Sequence, residues 1–249
     1  MSGTIPTTNV SFSNLVSTYN NINDPDLSTA NIALSNFRNK EFSTGSTVPS
    51  SGAISIGTDF KGRTWKAPGP TGWIAVTTST STNGTSTAGI INIWYKRSVV
   101  KFTYSQALLN SKGITSGSVI KKIKFNITNS VGQNLNNYQI AMKNQTSGAS
   151  TNPGNSSWTT VYSTTLSGSA SGEQTFDITD FTYTGNTLCF SFSWSAVSSY
   201  QRRGQTYTFN DSGDAYSWYT RTDGSGIYYP TSTASSGNNT YVPRVDMFF

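Results

Sequence analysis

The chain has 249 residues, of which 11% are charged, 34% hydrophobic and 13% aromatic, and Ser, Thr, Asn and Gly fill much of the rest. With no histidine and a single cysteine, Cys189, it can close no internal disulfide, build no His/Cys zinc cluster, and call on no imidazole for acid–base catalysis. Its net charge of +6 reflects scarce acids rather than a dense basic stripe, and no apolar run nears the ~20 residues of a membrane span, so neither nucleic acid nor membrane is expected as a partner.

Residues 1–66 repeat one short phrase: "NVSFSNL" at 9–15, "NIALSNF" at 31–37 and "AISIGTDF" at 53–60. Val10, Ile32 and Ile54 recur at a spacing of 22 residues. In each copy an apolar alternation (Val10/Phe12, Ile32/Leu34, Ile54/Ile56) suits a brief strand and leads to an anchor, Leu15, Phe37 or Phe60. Copies two and three run on as "FRNKEF" and "FKGRTW", which place Arg38/Lys40 and Lys61/Arg63 at matched positions between aromatics, with Trp65 ending the third. A unit this small cannot bury its own apolar face. Either the copies pack on one another as a self-contained subdomain, or they form an anchor whose docking surface is completed by a partner. The expectation carried forward is the anchor, docking through Val10, Phe12, Leu15, Ile32, Leu34, Phe37, Arg38, Lys40, Ile54, Ile56, Phe60, Lys61, Arg63 and Trp65.

The opening "MSGTIPTTNV" has neither the basic nor the apolar region of a signal peptide, although the composition suits an exposed surface protein. A virion component, assembled in the host cytoplasm and exposed on the particle surface, reconciles the two. Residues 67–89 start with a Pro/Gly turn cluster and end in a Ser/Thr/Gly tract, reading as a linker with soft boundaries in which "GWIAV" is a strand of either neighbour.

From residue 90 to 249 the pattern is a succession of half-buried strands. In "IKKIKFNIT" Ile123, Phe125 and Ile127 share one face, and Lys122, Lys124 and Asn126 the other. In "TLCFSFSWSA" Leu188, Phe190, Phe192 and Trp194 form a dry face, and Cys189, Ser191, Ser193 and Ser195 a wet one. Noisier alternation marks "VVKFTY", "NNYQIAMKN", "TTVYSTTL", "QTFDITDF", "GQTYTFN" and "VPRVDMFF". Only "SQALLNSKG" reads as a helix, capped by Ser105 and ended by Gly113. The expected class is all-β: a jelly-roll-like β-sandwich with an ordered C-terminus, preceded by the small repeat-containing anchor.

Catalytic chemistry finds little support. The acid pairs Asp177/Asp180 and Asp211/Asp214 read more simply as a wet strand face and a turn. The spacing of Asp211 and Asp214 fails the calcium-loop pattern, and serines without a base make no nucleophile. No catalytic residue, cofactor or metal is assigned. The aromatic stretch "AYSWYTRTDGSGIYYP" stands apart, because Tyr216, Trp218, Tyr219, Tyr228 and Tyr229 crowd into Gly/Ser-rich sequence. Trp218, Tyr219, Tyr228 and Tyr229 are candidates for contact with a partner or a host glycan, weighed against simple packing at one end of the core.

The opening block, with "IPTTNVSFSNL", "NIALSNFRNKEF" and "VPSSGAISIGTDFKGRTW", resembles the short repeated N-terminal segment of virion structural proteins from large tailed bacteriophages of the marine cyanophage type. The remainder, through "LNNYQIAMKNQT", "WTTVYSTTL", "FTYTGNTLCFSFSWS" and "YVPRVDMFF", is similar to a β-sandwich module of bacterial surface and phage structural proteins. The resemblance implies a non-enzymatic virion structural protein with capsid, neck or tail proteins as partners, most simply a tail or neck appendage such as a fibre or its adaptor. A capsid decoration protein and a carbohydrate-binding host-recognition module are the alternatives. A homo-oligomer is expected, a trimer being common among fibres.

Overall fold

The computed structural model describes residues 69–82, 89–91, 95–195, 205–210, 213–234, 236–239 and 241–249, together with Ile5, Leu15, Phe37, Phe42, Thr47, Val48, Ser51, Ile54, Asp59 and Phe60. Two units divide the chain, Met1–Pro68 and Gly69–Phe249.

The second unit consists of two antiparallel sheets packed as a sandwich. Its elements in order are β1 (Trp73–Ile74), β2 (Arg97–Tyr104), α1 (Gln106–Ser111), β3 (Val119–Asn129), β4 (Leu135–Gln145), β5 (Thr159–Leu166), β6 (Gly172–Thr182), β7 (Thr187–Ser195), β8 (Gln205–Thr206), β9 (Thr208–Asn210), β10 (Ala215–Thr222), β11 (Ser236–Asn239), β12 (Tyr241–Pro243) and β13 (Asp246–Phe248). One sheet runs β1-β13-β3-β6, with β8 also on β3; the other runs β11-β10-β2-β7-β4-β5; β12 and β9 pair separately. Residues 69–82, within the stretch read as a linker, thus belong to the sandwich unit, and Trp73 and Ile74 pair with Phe248 and Met247 at the other end of the sequence.

The strands form where apolar residues alternate, since every second side chain then faces the opposing sheet. Val100, Phe102 and Tyr104 of β2, Ile123, Phe125 and Ile127 of β3, and Leu188, Phe190, Phe192 and Trp194 of β7 join one core. Aromatic rings line both inner faces: Phe102 stacks on Phe190 at 5.1 Å and on Phe192 at 5.6 Å within one sheet, Phe125 stacks on Phe176 at 5.1 Å within the other, and Phe125 meets Phe192 edge-on at 6.0 Å across the core. Each such pair adds ~1 kcal/mol to what burial of the rings contributes.

The short helix forms as its sequence predicts. Ser105 accepts from the backbone N–H of Leu108, and Gly113 takes φ +78° beyond the end, a conformation that a side chain would strain. The C-terminal strand is fixed between β1 and β3. Tyr104, fully buried, clamps the approach to it by donating to the carbonyl of Pro243 at 2.7 Å and accepting from the N–H of Val245 at 3.1 Å.

One expectation fails in an informative way. All nine residues of β7 are buried, so the supposed wet face of Ser191, Ser193 and Ser195 is dry. Two loops overlie it. The 223–234 segment places the Pro230 carbonyl on the Ser191 hydroxyl at 3.0 Å and the Tyr228 N–H on the Ser195 hydroxyl at 3.0 Å. The 146–158 segment receives the Thr103 hydroxyl on the Ala149 carbonyl at 2.7 Å. Serine and threonine suit such a position because their hydroxyls satisfy loop backbone that strands cannot reach.

Candidate functional site

In the first unit the repeat anchors turn inward. Leu15, Phe37 and Phe60 have no exposed surface, and the rings of Phe37 and Phe42 stand edge-on to Phe60 at 5.8 and 6.1 Å. Anchors of copies two and three therefore complete each other's burial, and Ile5 and Val48 are buried as well. Leu15, Phe37 and Phe60, three of the residues expected to dock, are thus internal to the chain. Ile54 is half-buried. Val10, Phe12, Ile32, Leu34, Arg38, Lys40, Ile56, Lys61, Arg63 and Trp65 lie outside the described residues.

The aromatic stretch at 215–230 is likewise mostly packed. β10 pairs with β2, so its residues alternate between the sandwich core and the loop-covered face. Trp218 is 5% exposed and clusters with Val99 and with Ala234 of the 223–234 loop, while Tyr219, half-buried, packs on the main core. Trp218 is thus covered, while Tyr219 keeps part of its surface. Tyr228 is half-buried against the Trp218 cluster with the Arg97 guanidinium 4.8 Å from its ring centre. Tyr229 stands 48% exposed, and of the four it alone presents a broad open face.

Under the 146–158 loop lies a pair of cations that sequence reading passed over. Lys101, on the outer side of β2, is fully buried. Its Nζ donates to the Gly154 carbonyl at 2.5 Å and to Asn155 Oδ1 at 3.0 Å, and sits 5.3 Å from the centre of the Trp158 ring. Lys143 donates to the Pro153 carbonyl at 2.5 Å and approaches the same ring at 5.8 Å. Burial first, and the like charge of Lys143 second, lower the Lys101 ammonium from 10.5 to about 8. Asn152 and Asn155 then tie this loop to the 223–234 loop through the Ala234 carbonyl and the Thr233 hydroxyl, at 2.6 and 2.8 Å. The cations hold a cover in place rather than open a site.

Three carboxylates of the sandwich are engaged in structure. Asp177 bridges to Lys122 at 2.8 Å, Asp214 accepts from Ser105, and Asp246 pairs with Arg244. Among the described residues no group of three His, Cys, Asp or Glu comes together as a metal site, and no helix is long and apolar enough to cross a membrane. Burial pushes the Cys189 thiol up to about 12, against a smaller opposing pull from Lys143, so it is no nucleophile near neutral pH.

The outer side of the other sheet carries a different surface. Register places Asp246 of β13 opposite Lys124 of β3, with Phe248 opposite Lys122 on the same face and Trp73 opposite Phe248. A cleft of about 60 Å³ is lined by Lys124, Phe125, Asn126, Glu173, Tyr207, Arg244 and Asp246. Lys124 bridges Glu173 at 2.9 Å. Arg244 grips Asp246 with two parallel hydrogen bonds of 3.0 Å, from Nε to Oδ1 and from Nη2 to Oδ2, and fixes itself through Nη1 to the Ser79 carbonyl at 3.1 Å. Trp73, 39% exposed, stands beside this cleft with Lys124 Nζ 4.5 Å from its ring centre and Phe248 edge-on at 5.4 Å. The signal that could have marked Trp73 is a tryptophan directly after the turn "PGPTG", where no core strand had begun to claim it.

No family model and no curated protein matches the sequence. Among solved structures, the chain is similar to the crystal structure of the cysteine protease and lectin-like domains of Cwp84, a surface layer associated protein of Clostridium difficile, at 14% identity and a TM-score of 0.35. The match covers 62% of this chain and 32% of that one, so the chain spans about a third of the structure it matches.

Proposed function

We propose that this chain is a non-enzymatic virion structural protein that attaches through its N-terminal unit and displays a jelly-roll-like β-sandwich, as a tail or neck appendage such as a fibre or adaptor. The observation that carries the reading is the division of the chain at Pro68/Gly69, which sets the threefold repeat in a unit of its own and the display fold in another. Asp177 and Asp214, one from each acid pair weighed in the sequence, are tied to Lys122 and to Ser105, and this structural engagement supports the non-enzymatic part.

Attachment then works differently from an unfinished apolar surface. With Phe37, Phe42 and Phe60 closing on one another, the exterior of the folded unit makes the contact. Arg38, Lys40, Lys61 and Arg63, the basic residues that follow the second and third anchors in sequence, supply charge toward an acidic particle protein. The test is deletion of residues 1–68 in the producing phage, followed by quantitation of the chain in purified particles. Loss of incorporation is expected; incorporation at the full level would overturn the attachment. Copy number per particle separates an appendage, which follows few tail or collar positions, from a decoration protein, which follows the many capsomers.

A further inference from the structure

We infer that the surface around Trp73 binds a neutral pyranose unit of a surface glycan, the sugar ring lying on the indole and an exocyclic hydroxymethyl group entering the cleft between Lys124 and Asp246. This goes beyond particle attachment and does not rest on it: a chain that binds no sugar can still be incorporated, and the reverse.

Charge selects the ligand class. The cleft holds two cations, Lys124 and Arg244, and two anions, Glu173 and Asp246, already tied as pairs at 2.9 and 3.0 Å. An anionic ligand would meet Glu173 and Asp246, and a cationic one Lys124 and Arg244, so neither gains net attraction. A sugar hydroxyl both donates and accepts, and it fits where a fixed acceptor lies beside a fixed donor. Asn126 and Tyr207 add groups of the same kind.

Rigidity makes those contacts count. Asp246 is 8% exposed and held by both Arg244 nitrogens, and the Arg244 backbone N–H donates to the Tyr207 carbonyl at 2.9 Å. Hydrogen-bonding atoms held in place before the ligand arrives spare it the ordering cost that weakens flexible surfaces. Trp73 is propped in the same way, by strand pairing with Phe248, by the Phe248 ring and by the Lys124 ammonium, yet 39% of it remains open to water. An exposed indole is unfavourable to leave bare and suits the apolar C–H face of a pyranose.

Size fixes the pose. At about 60 Å³ the cleft is too small for a whole ring and takes a hydroxymethyl-sized group or about two waters. The ring must therefore sit outside, and the surface beside the cleft that suits it is Trp73.

The experiment probes the full chain on a printed array of neutral and acidic glycans, alongside Trp73→Ala, Lys124→Met and Tyr229→Ala, with the melting temperature of each variant measured in parallel. Saturable binding to neutral glycans is expected, reduced at least tenfold in Trp73→Ala and in Lys124→Met with little change in melting temperature, and unchanged in Tyr229→Ala. Binding to no neutral glycan overturns the inference. So does binding to acidic glycans alone, binding that survives Trp73→Ala, or binding lost in Tyr229→Ala instead.

Discussion

Replacing Lys101 by Met removes an ammonium that the fold keeps dry, and its signature is in the pH dependence of stability. Burial in the folded chain lowers this group from 10.5 to about 8. Between those values the unfolded chain holds a proton that the folded chain has released, so the group's contribution to stability rises with pH through that window. At neutral pH the buried charge costs about 3 kcal/mol relative to the neutral amine, and about 1.3 kcal/mol of this is recovered between pH ~7 and ~9. The Cys189 thiol and the buried Tyr104 and Tyr138 hydroxyls, all raised by desolvation, act in the opposite sense as pH climbs, but they are common to both proteins and cancel in the difference. Urea unfolding of wild type and Lys101→Met, followed by tryptophan fluorescence at several pH values across that range, measures the difference. The wild type should gain on the variant by about 1 kcal/mol over the interval. A difference that stays flat would mean that Lys101 titrates as a solvated lysine, and that the 146–158 loop does not seal the sheet face.

Four further outcomes follow from named contacts. Tyr104→Phe leaves the Pro243 carbonyl and the Val245 N–H without their buried partner and should cost about 2 kcal/mol in urea unfolding with an unchanged slope. Gly168→Ala places a methyl carbon 2.1 to 2.3 Å from Gln133 backbone atoms, so one turn must move; a clear fall in melting temperature is expected, where Gly148→Ala, with open space around it, should have little effect. Phe60→Ala removes the ring that both Phe37 and Phe42 meet, and should destabilise the N-terminal unit by ~3–5 kcal/mol, read as increased proteolysis within residues 1–68. Trp218→Ala should lower the melting temperature by several degrees while Tyr229→Ala leaves it alone, because the first is packed under a loop and the second is 48% exposed.

What the sequence revealed and what it hid have a physical pattern. Strands whose two faces differ, such as Val119–Asn129 with Ile123, Phe125 and Ile127 inside and lysines outside, announce themselves by alternation. So does the helix capped by Ser105. The β7 serines misled because a hydroxyl reads as wet whether it meets water or a loop carbonyl, and the carbonyl on Ser191 comes from Pro230, 39 residues away. Trp218 misled for the same reason, since a strand covered on both faces loses its polar phase. β1 is too short to show a period, and its partner is the other end of the unit. The repeat phenylalanines were visible as apolar anchors; whether they meet each other or a foreign surface is decided by packing, which no spacing encodes. The Trp73 surface is the extreme case, assembled from five separate stretches: Trp73, Lys124 with Asn126, Glu173, Tyr207, and Arg244 with Asp246 at the C-terminal strand.

Cross-linking of intact particles with an amine-reactive reagent, read by mass spectrometry, tests attachment through the N-terminal unit most directly. Links to other particle proteins should come from Lys40, Lys61 and Lys66, with sandwich lysines such as Lys112 and Lys121 linking only within the chain or to its own copies. Links to particle proteins from the sandwich lysines, with none from the first 68 residues, would contradict it.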